Sequence, residues 1–314
     1  MAATTGLGRH RRAFACLVGT GVIWGTIGVA AKLLYRHTDL DAVTVTWLRA
    51  LIASPIYLLL ARRALGSDLF RASRRDRGIM VGLGVILIVY QWLYLAAVAR
   101  LGVSSATLIS LCVPPVLVAI ASVAFLGERL NERTIAALVG ALVGTALLVG
   151  SQSGGGEGNG STTVGVLLAL GCAAGIACHV LVSRSLAGRH HALRPLAIGF
   201  PSGVIAFTPL LAGHDLTLRV PVSGWFLLLY LGIVPSVVAY WLYQRGLQDL
   251  PATTASIVTL LEPLIAAVLA WAIFDERLGA LGWIGGVLLM GSIVVLSLGS
   301  PAAVQQTAED VALA

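Results

Sequence analysis

A long apolar stretch occurs twice in this chain. The second copy, residues 251–278, carries one internal carboxylate, Glu262, followed directly by Pro263, and it ends in Glu-Arg-Leu. The first copy, residues 102–130, also has a central proline and the same Glu-Arg-Leu ending. A shift of 149 residues aligns the two prolines and also the Trp-Leu-Tyr triplets at 92–94 and 241–243. We therefore predict an internal duplication of about half the chain.

The apolar runs of the sequence predict an all-α polytopic membrane protein. Charged residues make up 11% of the chain and hydrophobic residues 58%, whereas soluble domains carry about 25% charged residues. Ten runs approach the ~20 residues that a bilayer-spanning helix needs. The predicted spans are 13–33, 42–61, 79–99, 102–126, 134–150, 163–183, 195–213, 222–244, 251–274 and 280–299.

The duplication and the spans together predict the organisation of the chain. A cytoplasmic N-terminal segment is followed by a first five-helix repeat, a glycine-rich external linker, a second five-helix repeat and a cytoplasmic tail. The predicted boundaries are 1–12, 13–150, 151–162, 163–299 and 300–314.

The arginines predict how the spans are oriented. With the N-terminus inside, fifteen basic residues fall on the cytoplasmic side and five outside. We therefore expect both termini to be cytoplasmic. The net charge of +7 arises from these short loops, so a nucleic-acid partner is not predicted. Five spans per repeat place the two copies upside down relative to each other, the usual geometry of an alternating-access carrier.

Several motifs resemble those of one transporter family. The Leu-Glu-Pro sequence ending at Pro263, the paired Glu-Arg-Leu triplets, Trp24-Gly25 and Trp47-Leu48-Arg49 resemble the EamA-type carriers of the drug/metabolite transporter superfamily. The resemblance covers residues 13–299. It implies a ten-helix inner-membrane carrier that exports amino acids, metabolites or drugs, and it leaves the substrate open. The first repeat departs from the second, because Val113 stands where the second has Glu262.

Three ionisable residues lie well inside predicted spans, and Lys32 lies at the end of the first span. Glu262 costs roughly 2.5–3.5 kcal/mol at mid-membrane, so we expect it to bind a proton, a cationic partner or a cationic substrate group. The alternative is a hydrogen-bonded network between helices. Arg49 could hold a substrate carboxylate, pair with Glu262, or snorkel to the outer interface. His179 could relay protons, but a hydrogen-bonded packing histidine is the favoured interpretation.

Aromatic and proline residues complete the candidate site. The third and eighth spans carry duplicated aromatic and amide side chains, which predict a cavity for apolar or zwitterionic solutes, with an interfacial aromatic belt as the alternative. These residues are Gln91, Trp92, Tyr94, Tyr240, Trp241 and Tyr243, with Trp24 joining them from the first span. Pro114, Pro115 and Pro263 are predicted to bend their helices, and Pro263 to leave the Thr259 carbonyl without an intrahelical donor.

The predicted function is secondary transport rather than catalysis. We expect an exporter of amino acids or small amphipathic metabolites, working by alternating access and coupled to protons through Glu262. A multidrug or cationic-compound exporter is the alternative within transport. An intramembrane enzyme is a remote alternative, because such enzymes need clustered reactive groups, which are absent from these spans. No cofactor or metal is predicted. The expected partners are a small-molecule substrate, the lipid bilayer and protons, whereas the oligomeric state stays open.

Overall fold

The computed structural model describes residues 2–101, 103–150, 162–212, 220–274 and 279–298. Within these residues it contains ten segments long and apolar enough to cross a bilayer, as the sequence predicted. The tail at 300–314, the linker except its last residue, and the Glu276-Arg277 pair lie outside the described residues.

The ten spans are built from thirteen α-helices, because three spans are interrupted. The helices are α1 Ala2–Gly25, α2 Ile27–His37, α3 Ala42–Leu65, α4 Arg74–Leu101, α5 Val103–Leu126, α6 Glu132–Gly150, α7 Thr162–Ala187, α8 Leu193–Phe207, α9 Val222–Ile233, α10 Ala239–Asp249, α11 Ala252–Val258, α12 Leu261–Phe274 and α13 Ala280–Ser297. Short 3₁₀ helices follow α3 and α8, at Gly66–Phe70 and Thr208–Leu211. Helix α1 begins at Ala2, so it includes most of the segment 1–12 that was predicted to precede the first span.

Equivalent helices of the two repeats pack against each other in opposite directions. In the α6–α13 pair, Gly140 faces Ser292, Gly144 faces Leu289, and Gly285 faces Leu148, so residue numbers rise along one helix as they fall along the other. A β-carbon on Gly144 would lie 2.7 Å from the Gly285 carbonyl oxygen. Such close antiparallel packing of a helix on its own counterpart requires inverted repeats, as predicted.

Glycines also hold the crossings between non-equivalent helices. Gly84 of α4 lies directly against the backbone of Gly199 on α8. The corresponding crossing in the other half joins α9 to α3, where a β-carbon on Gly232 would lie 2.7 Å from Ile52. Gly84 and Gly232 therefore play the same part in the two repeats, and larger side chains there would push the helices apart.

The ninth span is two helices, not the single bent helix predicted from the sequence. Helix α11 ends at Val258 and α12 begins at Leu261. Pro263 has no N–H to donate, so the bond that would join it to the Thr259 carbonyl in a continuous helix is missing at the break. The Thr259 carbonyl is nevertheless satisfied, since the Glu262 N–H donates to it over 3.0 Å. The prediction that this carbonyl lacks a donor is therefore wrong.

Two other interruptions were not predicted. The first span changes from α1 to α2 at Thr26. The eighth span contains a π-helix at Val234–Val238, between α9 and α10. By contrast, helix α5 continues from Val103 to Leu126 through both Pro114 and Pro115.

A carboxylate of the first repeat caps the broken span of the second. Glu128 accepts hydrogen bonds from the N–H of Ala252, over 2.7 Å, and from the N–H and hydroxyl of Thr253. Arg184 lies 4.0 Å from the same carboxylate and donates to the Leu247 carbonyl. A negative charge at a helix N-terminus is favourable. These contacts join the repeats at the end of the molecule where α1 begins, here called the N-terminal face.

Candidate functional site

The three interrupted spans meet at one place between the repeats. A β-carbon on Gly25, the last residue of α1, would lie 2.8 Å from the Glu262 carbonyl oxygen at the start of α12. Beside it, Trp24 Nε1 donates to the carbonyl of Pro235 in the π-helix over 3.2 Å. Discontinuous helices near mid-membrane are how carriers expose polar groups to a solute, so this junction is the candidate site.

The second span fixes the backbone of the π-helix. The Tyr57 hydroxyl lies 2.8 Å from the carbonyl oxygens of both Ser236 and Val237. The Ser236 hydroxyl donates to the Leu231 carbonyl and accepts from Arg49 Nε over 3.3 Å. Tyr57 is fully buried, so the carbonyl groups it bonds have no access to water. These bonds hold Arg49 against the eighth span instead of leaving it at the outer interface.

Arg49 and Glu262 are the two charged groups that interact at the junction. They interact electrostatically, but within the part of the chain that the structure describes they form no direct ion pair, and Arg49 bonds Ser236 instead. Glu262 lies in the first turn of α12, where a carboxylate is stabilised by the helix dipole. The site therefore holds a cationic and an anionic group at separate positions, which suits a zwitterion better than a single charge.

An aromatic cluster lies beside these charges. The ring of Trp24 lies 4.9 Å from that of Tyr240 and 5.5 Å from that of Tyr243. His179 packs among the rings of Tyr90, Tyr240 and Tyr243 at 6.0–6.2 Å. The buried Tyr243 hydroxyl has no hydrogen-bond partner among the described residues. A buried polar atom of this kind needs a partner, which a solute or a water molecule would supply.

The symmetry of the repeats is visible within this cluster. The hydroxyls of Tyr90 and Tyr240 lie 3.0 Å apart, one from the third span and the other from the eighth. Because the third and eighth spans occupy equivalent positions in the two repeats, this contact marks the seam between them.

The remaining predicted residues lie in different surroundings. Gln91 lines a small cavity beside Arg49, together with Thr46, Phe200 and Tyr240. The Tyr94 hydroxyl lies 2.8 Å from the Thr107 hydroxyl, between the third and fourth spans. Among the described residues, Trp92 and Trp241 make no ring contact with the cluster, and they are 39% and 38% exposed.

The cavity beside Arg49 has a volume of about 10 Å³. This space is sufficient for about one water molecule, so a larger solute can enter only when the surrounding helices move apart. Among the described residues, no three His, Cys, Asp or Glu side chains come close enough to share a metal ion.

Comparison with known proteins agrees with this architecture. The model of the EamA-like transporter family matches residues 11–150 and again residues 163–298. The chain belongs to this family.

Individual relatives of this EamA-like chain are also named transporters. An uncharacterized transporter, YwfM, of Bacillus subtilis (strain 168) is 31% identical over 214 residues, 68% of this chain and 71% of that protein. The "Probable terminal-alkyne amino-acid exporter" of Streptantibioticus cattleyicolor is 26% identical, covering 60% of this chain and 62% of that one. These names favour transport over the intramembrane enzyme considered from the sequence.

A solved crystal structure of another protein shows the same fold as this EamA-like chain. The TM-score is 0.78 at 20% identity, covering 91% of this chain and 96% of the other. At this identity the likeness concerns the fold alone.

Sequence reasoning missed three members of the site in this EamA-like chain. Tyr57, Ser236 and Phe200 carry no charge and do not belong to the duplicated motifs. Pro235 was the one available signal, because a proline in the middle of a span frees backbone carbonyls for side-chain donors.

Proposed function

We propose that this EamA-like transporter is a secondary carrier that exports amino acids or similarly small amphipathic metabolites by alternating access. The observation that carries the proposal is that Arg49 and Glu262 interact at the junction of the interrupted spans without a direct ion pair between them among the described residues, beside an aromatic cluster. An amino acid has the complementary arrangement of a carboxylate, an ammonium group and an apolar side chain.

Each part of the site has a role in this proposal. The planar guanidinium of Arg49 pairs with the substrate carboxylate, for which its geometry is suited. Glu262 receives the substrate ammonium group and, between substrates, a proton. Trp24 and Tyr240 pack against the apolar side chain and offer their ring faces to the amine. The relative named as a probable amino-acid exporter supports this substrate class.

Alternating access requires the site to open to one side at a time. The hydrogen bond that Glu128 accepts from Ala252 and its ion pair with Arg184, both across the repeats, support a conformation that is shut at the N-terminal face. The fifteen-to-five distribution of basic residues supports a cytoplasmic N-terminal face in the inner membrane. In an exporter, the substrate enters when these contacts separate.

Export of cationic compounds is the second candidate function. Glu262 is the one carboxylate at the junction among the described residues and has no direct cationic partner there. A lipophilic cation could therefore neutralise it while packing against Trp24 and Tyr240. In that case Arg49 would play no part in recognition.

Transport in everted membrane vesicles tests both functions. We expect accumulation of amino acids driven by a proton gradient, with Glu262→Gln abolishing its dependence on pH. Arg49→Gln should abolish amino-acid transport because the substrate carboxylate loses its partner. Glu132→Gln, at an exposed carboxylate of α6, is the matched control and should leave transport unchanged.

The outcomes separate the two candidates. Uptake of lipophilic cations that survives Arg49→Gln but not Glu262→Gln would establish the cationic exporter. Unchanged transport and pH dependence in Glu262→Gln would contradict any role for this carboxylate in substrate binding or proton coupling.

A further inference from the structure

A second cavity lies at the N-terminal face, away from the junction of the interrupted spans. Its volume is about 370 Å³, and it is lined by Arg62, Gly66, Ser67 and Phe70. These residues belong to the end of α3 and the 3₁₀ helix that follows it. The apolar second span ends at Phe70, so the cavity lies at the boundary between the bilayer core and the headgroup layer.

The backbone around the cavity is well anchored. Leu69, between the two lining residues Ser67 and Phe70, is 1% exposed and packs in a core cluster with α8. The Asp68 carbonyl accepts a hydrogen bond from Arg194 over 3.0 Å. Gly66 has a φ of 55°, a conformation that side chains with a β-carbon rarely adopt, and its N–H caps the end of α3. The cavity is therefore part of the fold.

The charge around the cavity is strongly positive. Six arginines occur between positions 62 and 77, against only two carboxylates. Both carboxylates are already engaged: Asp68 pairs with Arg71 over 2.7 Å, and Asp76 pairs with Arg189 and His190 over 3.0 Å. Within the described ranges no carboxylate pairs with the guanidinium of Arg62, which is exposed at the cavity.

An apolar surface accompanies this charge. The side chain of Phe70 is 55% exposed and lines the same cavity as Arg62. A soluble anion makes no apolar contact with an exposed aromatic ring, whereas a phospholipid presents a phosphate next to a glycerol and acyl chains. Basic pockets at the ends of membrane spans bind anionic lipid headgroups on this principle.

We propose that this cavity binds the headgroup of an anionic phospholipid. The guanidinium of Arg62 pairs with the lipid phosphate, and the Ser67 hydroxyl donates to a second phosphate oxygen. Phe70 packs against the glycerol backbone and the first methylene groups. The bound lipid would then neutralise the charge of Arg62, at the connection between the second and third spans.

Native mass spectrometry of the full-length protein in detergent, titrated with phosphatidylglycerol, tests the proposal. Arg62→Gln should weaken binding of the first lipid by roughly fivefold, the effect of one arginine near an anionic headgroup. Phe70→Ala should weaken it as well. Arg75→Gln removes the same charge from an exposed position in the same segment but outside the cavity, so its effect should be under about twofold.

Two results would overturn the proposal. Equal weakening by Arg62→Gln and Arg75→Gln would mean that lipid responds to the total charge of the segment and not to a site. Displacement of phosphatidylglycerol by millimolar inorganic phosphate, together with no effect of Phe70→Ala, would mean that the cavity recognises a free phosphate ion. Both arginine variants lie on the exposed surface, so loss of folding does not obscure the comparison.

Discussion

The two repeats of this transporter are alike where their last helices pack together and different at the junction of the interrupted spans. Helices α6 and α13 pack as near-equivalent antiparallel partners. At the junction, by contrast, each interrupted span has an uninterrupted counterpart: α7 corresponds to the broken α1–α2, α4 to α9–α10, and α5 to α11–α12. Duplication supplied the scaffold, and later differences between the copies created the site.

The π-helix shows how small such a difference can be. Gly84 and Gly232, at equivalent crossings before it, are 148 positions apart, whereas Trp92 and Trp241, after it, are 149 apart. A π-helix arises from a single inserted residue. Within the π-helix, Trp24 bonds the carbonyl of Pro235 and Tyr57 bonds those of Ser236 and Val237.

The largest expected effect comes from adding a side chain where the first span packs closely against the ninth. In Gly25→Ala the new β-carbon would lie 2.5 Å from Ile265 Cβ and 2.8 Å from the Glu262 carbonyl oxygen. We expect a loss of about 1–3 kcal/mol in stability from overpacking. A shift of the α12 turn by about 1 Å should lower transport roughly a hundredfold. Transport in vesicles and thermal unfolding in detergent measure the two effects.

Gly28→Ala is the control for this substitution. Gly28 lies in α2, three residues further on, and a β-carbon added there would have no other atom within 4 Å, so transport and stability should be unchanged. If Gly25→Ala behaved in the same way, the close approach of α1 to α12 would have no importance for the site.

The second prediction compares the two proline positions. Pro263→Ala restores a backbone N–H, so α11 and α12 can join into the continuous helix seen at the equivalent α5. Glu262 would then turn with the joined helix, and we expect roughly tenfold slower transport. Pro114→Ala, at the equivalent position in a helix that is already continuous, should stay within about twofold. Equal effects on initial transport rates would show that the break itself does not position Glu262.

The third prediction concerns the tyrosine that bonds the π-helix. Tyr57→Phe removes the one hydroxyl proton that is shared between the carbonyls of Ser236 and Val237, at a cost of about 1–3 kcal/mol for a buried group. Because Ser236 also bonds Arg49, we expect the KM for substrate to rise about fivefold. Thermal unfolding and transport kinetics would measure these changes. A stable variant with an unchanged KM would exclude a positioning role for Tyr57.

The spans and repeats could be predicted from the sequence, whereas most of the junction could not. Apolar runs predicted the ten spans, and a shift of 149 residues predicted the inverted repeats. Both signals can be recognised in the sequence without knowledge of tertiary contacts. The break at Thr26 instead lies beside the close approach of Gly25 to Glu262, which is far away in the chain. The roles of Tyr57 and Ser236 arise from backbone groups that only the folded π-helix exposes. Ionisable residues could be found because charge is costly in a membrane, whereas uncharged partners carry no such signal.

The smallest expected effect tests the two tryptophans that the sequence placed in the cavity. Trp92 and Trp241 are duplicated, but their side chains are 39% and 38% exposed, so replacement by leucine should change transport by no more than about twofold. Trp24→Phe, which removes the donor to the Pro235 carbonyl, is the positive control and should reduce transport more. Duplicated residues would then belong to the shared scaffold, and the unduplicated Trp24 to the site. If Trp241→Leu impaired transport as strongly as Trp24→Phe, the exposed face of the eighth span would be part of the solute route, and the site would extend beyond the junction.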